Sequence, residues 1–393
     1  MVIDSIKFLE SKIKTWGREH LVLLFSFGVF ILSIIARYSL IHFVSYDAVT
    51  YYLPWHEEII EKGRIGALAY QIGNYNLTFQ FISVLLSYLP IEPLLCYKLL
   101  PSFFDYVLAI LVGHIVYHFK HDQILRVFAS AVVIMNPVVI LNSACWGQCD
   151  SIYTTFCIGA IYAIIMKKKI LPFIFYGIAL AFKLQAIFLL PFMFWVWLES
   201  DDYKIYNLLI SPLSMIVCCL PNILMGHRSV KDIARVYIDQ TGEYPRMIMN
   251  YPSFWRLFSN SDEEVVYLIL RNFAIVLTVF ILLFLLFCFG QLHEIGERDY
   301  LYIAFFVVYT CVLFLPAMHE RYGFIYEILA IIIMFFDKKT IIPVAILFTL
   351  SILTYSHFLF DNNVAANYAF ILTVVNIGVY LFYLVRYFKV RRG

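Results

Sequence analysis

Long apolar runs recur along the whole of this chain, and they restrict its fold more than any single motif does. Runs of roughly 15 to 25 residues follow one another, and most are long enough to cross about 30 Å of hydrocarbon as a helix. Of the 393 residues, 62% are hydrophobic and only 14% are Asp, Glu, Lys or Arg. Soluble domains carry about 25% of those charged residues, so a water-soluble fold is excluded. Hydrocarbon offers the backbone no hydrogen-bond partners, which leaves helices as the spanning element. The expectation is an all-α polytopic membrane protein, one integral membrane domain over residues 1–393.

The basic residues assign the sides, because short cytoplasmic loops are enriched in Lys and Arg. Residues 1–20 carry Lys7, Lys12, Lys14 and Arg18 and read as a cytoplasmic amphipathic segment, with no cleavable signal. A first span at 21–44 runs outward. Residues 45–93 form a first outer loop with interfacial helices: one near 54–61, and a short surface or re-entrant one at 77–89. Lys120 and Arg126 mark one inner turn, and Lys167, Lys168 and Lys169 mark the next. Two spans separate them, so residues 146–150 lie outside. The segment 170–200 is too long for one comfortable span and reads as two short helices meeting near Lys183. Residues 226–262 form a second long outer loop, and the rest alternates regularly. The sum is about 12 spans with both ends cytoplasmic.

Under this topology the residues able to do chemistry collect on the outer side. They are Asp47; Trp146, Gln148 and Asp150; Lys183 and Gln185; Arg246 in the second loop; and His319, Glu320, Arg321 and Tyr322. Ionisable groups at the edge of a bilayer are costly and mark functional sites by default. Cations hold a phosphate and a carboxylate handles a proton, so the mixture suits an anionic, lipid-borne substrate. The eight cysteines form no disulfide framework and no metal-ligand pattern. No cofactor is expected, although a divalent metal completed by Asp150 stays open. Membrane lipids are expected partners and nucleic acid is not.

Three motifs then carry a resemblance. A Trp-Gly-Gln-x-Asp-Ser stretch at Trp146 to Ser151 follows an Asn136-Pro137 span; Lys-x-Gln-Ala follows at Lys183 to Ala186, and Met-His-Glu-Arg-Tyr at Met318 to Tyr322. In this order they resemble the GT-C glycosyltransferases, and more narrowly the bacterial relatives of the GPI-anchor mannosyltransferase family. The resemblance implies a polyprenyl-phosphate-linked sugar as donor, an outer-face glycan or lipid as acceptor, and inversion at the anomeric carbon. It also implies that an Asp early in the first outer loop, here Asp47, is the catalytic base. Lys183 and Arg321 are then the expected phosphate partners, with Arg246 or Arg235 behind them. Asp150 orients the acceptor or shares the base role. Gln148 and Trp146 bond to and stack on a sugar, and His319 bonds the phosphate or a hydroxyl. Lys- and Ile-rich usage points to a bacterial cytoplasmic membrane.

Plainer readings compete. Asp47 and Asp150 suit helix capping, Lys183 suits snorkelling to headgroups, and Glu320–Arg321 suits a structural ion pair. A transporter or flippase of lipid-linked sugars is the alternative function, though it calls for internal repeats and midplane charges that the sequence does not display.

Overall fold

The computed structural model describes residues 2–258, 264–292 and 294–392. Residues 259–262 of the expected second outer loop lie outside the described residues, as do the side chains of Lys7 and Arg18. The described residues form helices and turns, with one isolated bridge between Ile248 and Met318 and no β-strand. In chain order the helices are α1 (Val2–Glu19), α2 (Leu21–Leu40), α3 (Leu53–Glu61), α4 (Leu77–Leu86), α5 (Pro93–Lys120), α6 (Gln123–Ile134), α7 (Pro137–Ile140), α8 (Asp150–Ile165) and α9 (Leu171–Phe182). There follow α10 (Leu190–Glu199), α11 (Ile205–Met225), α12 (Val230–Gln240), α13 (Glu264–Gly290), α14 (Glu297–Phe314), α15 (Phe324–Met334), α16 (Ile341–Phe360), α17 (Val364–Asn367) and α18 (Ala369–Arg392).

This is an integral membrane protein. Among the described residues, six helices are long and apolar enough to cross a bilayer: α2, α5, α11, α13, α16 extended back to Lys338, and α18. The pair α6–α7, bent by 48°, makes a seventh if it counts as one span. Several shorter apolar helices, α8 and α15 among them, pack between these. The expected twelve is thus not reached by length and composition alone. Large apolar side chains on α2, α11 and α13, such as Phe27, Leu209 and Phe280, face outward. In water such a surface would be an aggregation site; in lipid it is the solvated face. The interior is built on α8, α14 and α15, which are buried along nearly their whole length.

Local sequence explains the breaks that shape one end of the bundle. Pro137 has no N–H, and the Asn136 side chain accepts the Val138 N–H at 2.9 Å, capping α7. The Ile134 carbonyl, which a continuous helix would pair with that N–H, instead accepts from Arg37 Nη1 at 3.0 Å. Residues 141–146 then widen into a π-type turn that ends at Gly147, whose φ of +83° favours glycine. A second π-type turn, 48–52, follows Asp47. Lys183, between α9 and a tight turn at 184–189, is fully extended. It forms the helix junction expected there.

The two ends of α14 differ. Its first turn adjoins Phe119, Asp337, Arg386 and Arg391 around a charged cavity. Beyond its last residue the chain runs through Leu315 into His319 and Arg321. Eighteen residues at 1.5 Å each separate these ends by about 27 Å. Residues 45–75, 146–150, 183 and 240–250 gather at the second end. The second loop is not irregular throughout: it contains α12, an amphipathic helix capped by Ser229.

Candidate functional site

Two buried cations hold the segments that carry the site. Lys98, wholly buried on α5, donates to the Ile41 carbonyl at 2.9 Å and to that of Phe43. These are orphan acceptors past the end of α2, where a cation also suits the helix dipole. Arg37 on α2 pairs with Asp105 on α5, Nη2 to Oδ2 at 2.8 Å, and Ser143 donates to the same carboxylate oxygen. Ser45 Oγ then donates to the Trp146 carbonyl at 2.9 Å, joining the Asp47 turn to the Trp146 turn.

Between these anchors lies a chain of hydrogen bonds. Asp47 Oδ2 accepts from Trp146 Nε1 at 2.8 Å and from Gln148 Nε2 at 2.6 Å. Gln148 Oε1 accepts from Lys183 Nζ and from Tyr75 OH, both at 3.1 Å. Lys183 also pairs with Asp150 Oδ1, and Asn142 Nδ2 donates to Asp150 Oδ2 at 2.8 Å. The amide of Gln148 thus links the Asp47 carboxylate to the Lys183 ammonium. Both donors to Asp47 use one oxygen, Oδ2.

That cavity encloses about 280 Å³. Of the residues singled out from the sequence, Asp47, Gln148, Lys183, Gln185, His319, Arg321 and Tyr322 line it. Segments up to 312 positions apart in the chain, 46 and 358, meet there.

Four of the expected residues do not line the cavity. Asp150 does not line the cavity: it is fully buried with both oxygens engaged, and it backs Lys183 rather than meeting an acceptor. Trp146 is also fully buried, its ring stacked on Phe358 at 4.6 Å with the Arg321 guanidinium 5.1 Å away, so it has no free face for a sugar. Glu320 lies behind Arg321, paired at 3.1 Å. Arg246 is exposed and is not part of the cavity wall. The plainer readings of the acids also fail. Asp47 makes no side-chain cap bond, and Asp150 is the first residue of α8 rather than its cap.

Sequence reasoning missed Lys98, Arg37, Asp105 and Asn142, and the aromatic wall of Tyr51, Tyr52, Tyr75 and Tyr244. Charges inside apolar runs were the signal for the first three.

Electrostatics separates the polar groups of the 318–322 turn. Burial, then the nearby Arg321 and Lys183 charges, push the His319 imidazole well below its usual 6.5, so it is neutral. Burial opposes the Arg321 charge, but Asp47 and Glu320 outweigh it and keep the guanidinium protonated. Burial raises the Glu320 carboxyl, with Arg321 pulling the other way. His319 Nε2 and Arg321 Nε are buried without a protein partner. Buried polar atoms are normally satisfied, so unpaired ones beside a cavity call for a ligand or water. Among the described residues no group of three or more His, Cys, Asp or Glu is placed to hold a metal ion.

Compared with models of known protein families and with curated proteins, the chain matches none.

Proposed function

We propose that this protein is a membrane glycosyltransferase of the GT-C type, resembling bacterial relatives of the GPI-anchor mannosyltransferases. It moves a monosaccharide, mannose or another hexose, from a polyprenyl-phosphate carrier to a glycan or lipid acceptor. The observation that carries this reading is that Asp47, whose two side-chain donors both bond to Oδ2, lines a cavity that also presents Lys183 and Arg321. Asp47 takes the proton of the acceptor hydroxyl as its oxygen attacks the anomeric carbon. The bond from that carbon to the phosphate oxygen breaks on the opposite face, which inverts the centre. The phosphate leaves with the electron pair, stabilised by Arg321, Lys183 and the neutral His319 N–H.

The reading places this end of the bundle on the outer face of a bacterial cytoplasmic membrane. Twelve crossings suit it. The short helices α8, α9, α10, α14 and α15 then complete the seven longer ones, and the charged cavity at Asp337 and Arg386 marks the cytoplasmic end.

Asp47→Asn keeps the shape and the Trp146 contact but removes the base. Transfer from a synthetic polyprenyl-phosphate sugar by the purified variant is expected to fall about 10²- to 10⁴-fold. Turnover near that of the wild type would remove Asp47 from the role.

A further inference from the structure

The charged cavity at the other end of the bundle, around the first turn of α14, encloses about 560 Å³, within the range that takes a small molecule. Two of its ion pairs are closed. Asp337 accepts from Arg386 Nε at 2.6 Å and from Nη2 at 3.0 Å. Asp299 accepts from Arg391 Nη2 at 2.6 Å and from Tyr387 OH at 2.8 Å. Two charges in its wall are left over. The guanidinium of Arg298 lies 5.4 Å from the Phe336 ring centroid and 5.9 Å from that of Phe119, and it has no carboxylate partner among the described residues. The Glu297 carboxylate, among the described residues, meets only His118 Nε2, at 2.9 Å, and an imidazole neutralises it only when protonated. Both Arg298 and Glu297 are exposed. The cavity also sits where hydrocarbon gives way to headgroups. Val385, next to Arg386, is 67% exposed, and Val390, in the cavity wall, is 54% exposed. An apolar outer face on α18 thus runs up to a ring of cations at the helix ends, Lys120 on α5 among them.

We infer that this cavity takes the zwitterionic head of a membrane phospholipid that carries a phosphate and a primary ammonium, with the phosphate on Arg298 and the ammonium on Glu297. A guanidinium fork suits phosphate oxygens, and a carboxylate suits a donor with several N–H groups. One leftover charge of each sign matches a head with one of each. An anionic head without the ammonium brings its phosphate to Arg298 but leaves Glu297 unmatched beside it. A quaternary ammonium has no N–H to give Glu297. It binds instead over aromatic faces, and here Arg298 already occupies those of Phe119 and Phe336. The acyl chains stay outside, against the exposed flank of α18. No transfer chemistry enters, because α14 separates this cavity from the polar one by about 27 Å.

The test uses the full chain in mild detergent with equal amounts of phosphatidylethanolamine, phosphatidylcholine and phosphatidylglycerol of the same acyl chains. Native mass spectrometry counts the lipid that stays bound. Phosphatidylethanolamine is expected to be retained several-fold over each of the others. Arg298→Ala removes the phosphate partner and is expected to cut that retention about tenfold, the effect of losing one charge-assisted hydrogen bond. Arg298→Lys keeps the charge and should keep part of the retention. Glu297→Gln removes the ammonium partner, so phosphatidylglycerol should rise to equal phosphatidylethanolamine. Lipid bound elsewhere on the apolar surface is indifferent to all three substitutions. Equal retention of the three lipids by the wild type, phosphatidylglycerol retained first, or a preference unchanged by Arg298→Ala and Glu297→Gln would each overturn the assignment. Displacement of the lipid by an equal concentration of soluble glycerophosphoethanolamine would overturn the membrane as its source. The readout needs no turnover, so its failure leaves the transferase reading untouched, and loss of that reading leaves this site standing.

Discussion

Asp47, Gln148 and Lys183 act as one unit because a single amide faces both charges. Gln148 must give its NH₂ to the carboxylate and its oxygen to the ammonium, which fixes its orientation. Gln148→Glu would put a second negative charge against Asp47, and Gln148→Leu would leave Lys183 with Asp150 alone. The Lys183–Asp150 contact is buried, with side chains 4% and 0% exposed. Breaking such a pair from one side strands a charge and costs about 3–5 kcal/mol. Lys183→Met should therefore lower stability by that order, and adding Asp150→Leu should restore much of it without restoring transfer. Thermal unfolding in detergent, run beside the transfer assay, separates the two effects; full recovery of transfer would remove Lys183 from phosphate binding.

His319 supplies a pH dependence whose sign is fixed by burial. Its folded form is held neutral well below 6.5, whereas the unfolded chain takes up a proton near 6.5. The unfolded state binds more protons below that pH, so stability falls as pH drops through it. The contribution is complete above about pH 6.5 and is lost on acidification, by up to about 1.4 kcal/mol per pH unit. His319→Gln should flatten this part of the profile between about pH 5 and pH 7, a window set by the ordinary imidazole value. Parallel profiles for the two proteins would show that the imidazole is not held neutral.

At the scale of elements, the breaks matter more than the helices. A continuous helix through Asn136-Pro137 would carry residues 141–146 onward in line; the 48° bend and the π-type turn instead bring Trp146 and Gln148 to Asp47. Arg37 fills the gap this leaves, serving both the orphaned Ile134 carbonyl and Asp105. Arg37→Met should destabilise by about 3–5 kcal/mol by stranding Asp105. Arg37→Met with Asp105→Leu should recover only part of it, because the Ile134 carbonyl stays unpaired at a cost of about 1–3 kcal/mol. Equal midpoints for the single and double variants would refute the ion pair as the source.

For the whole molecule, the sorting of charge between the two ends is the testable feature. Residues such as Lys168 and Lys338 belong to the loops that carry Lys in clusters, and Arg246 belongs to the other set. In right-side-out vesicles, with Cys218 and Cys288 changed to Ser, an impermeant thiol reagent should label Arg246→Cys and spare Lys168→Cys. Labelling of both, or the reverse, would invert or discard the proposed orientation.

The membrane class, the helix junction at Lys183 and the short helices of the first loop were legible because each depends on local quantities. Apolar run length, proline and the placement of Lys and Arg need no knowledge of distant partners. The meeting of residues 47, 148, 183 and 321 was legible only as alternation: segments on the same side of a bilayer have a chance to meet. Which of them face the cavity was not. Asp150 and Trp146 carry the same chemical promise as Asp47 and Gln148, yet they are sealed behind them. That outcome depends on a bend at Pro137, on a positive φ at Gly147, and on Lys98 and Arg37 reaching across from other helices. Side-chain direction at a helix end turns by about 100° per residue, so a shift of one residue in a turn exchanges the exposed group for the buried one. Only the packed helices set that register.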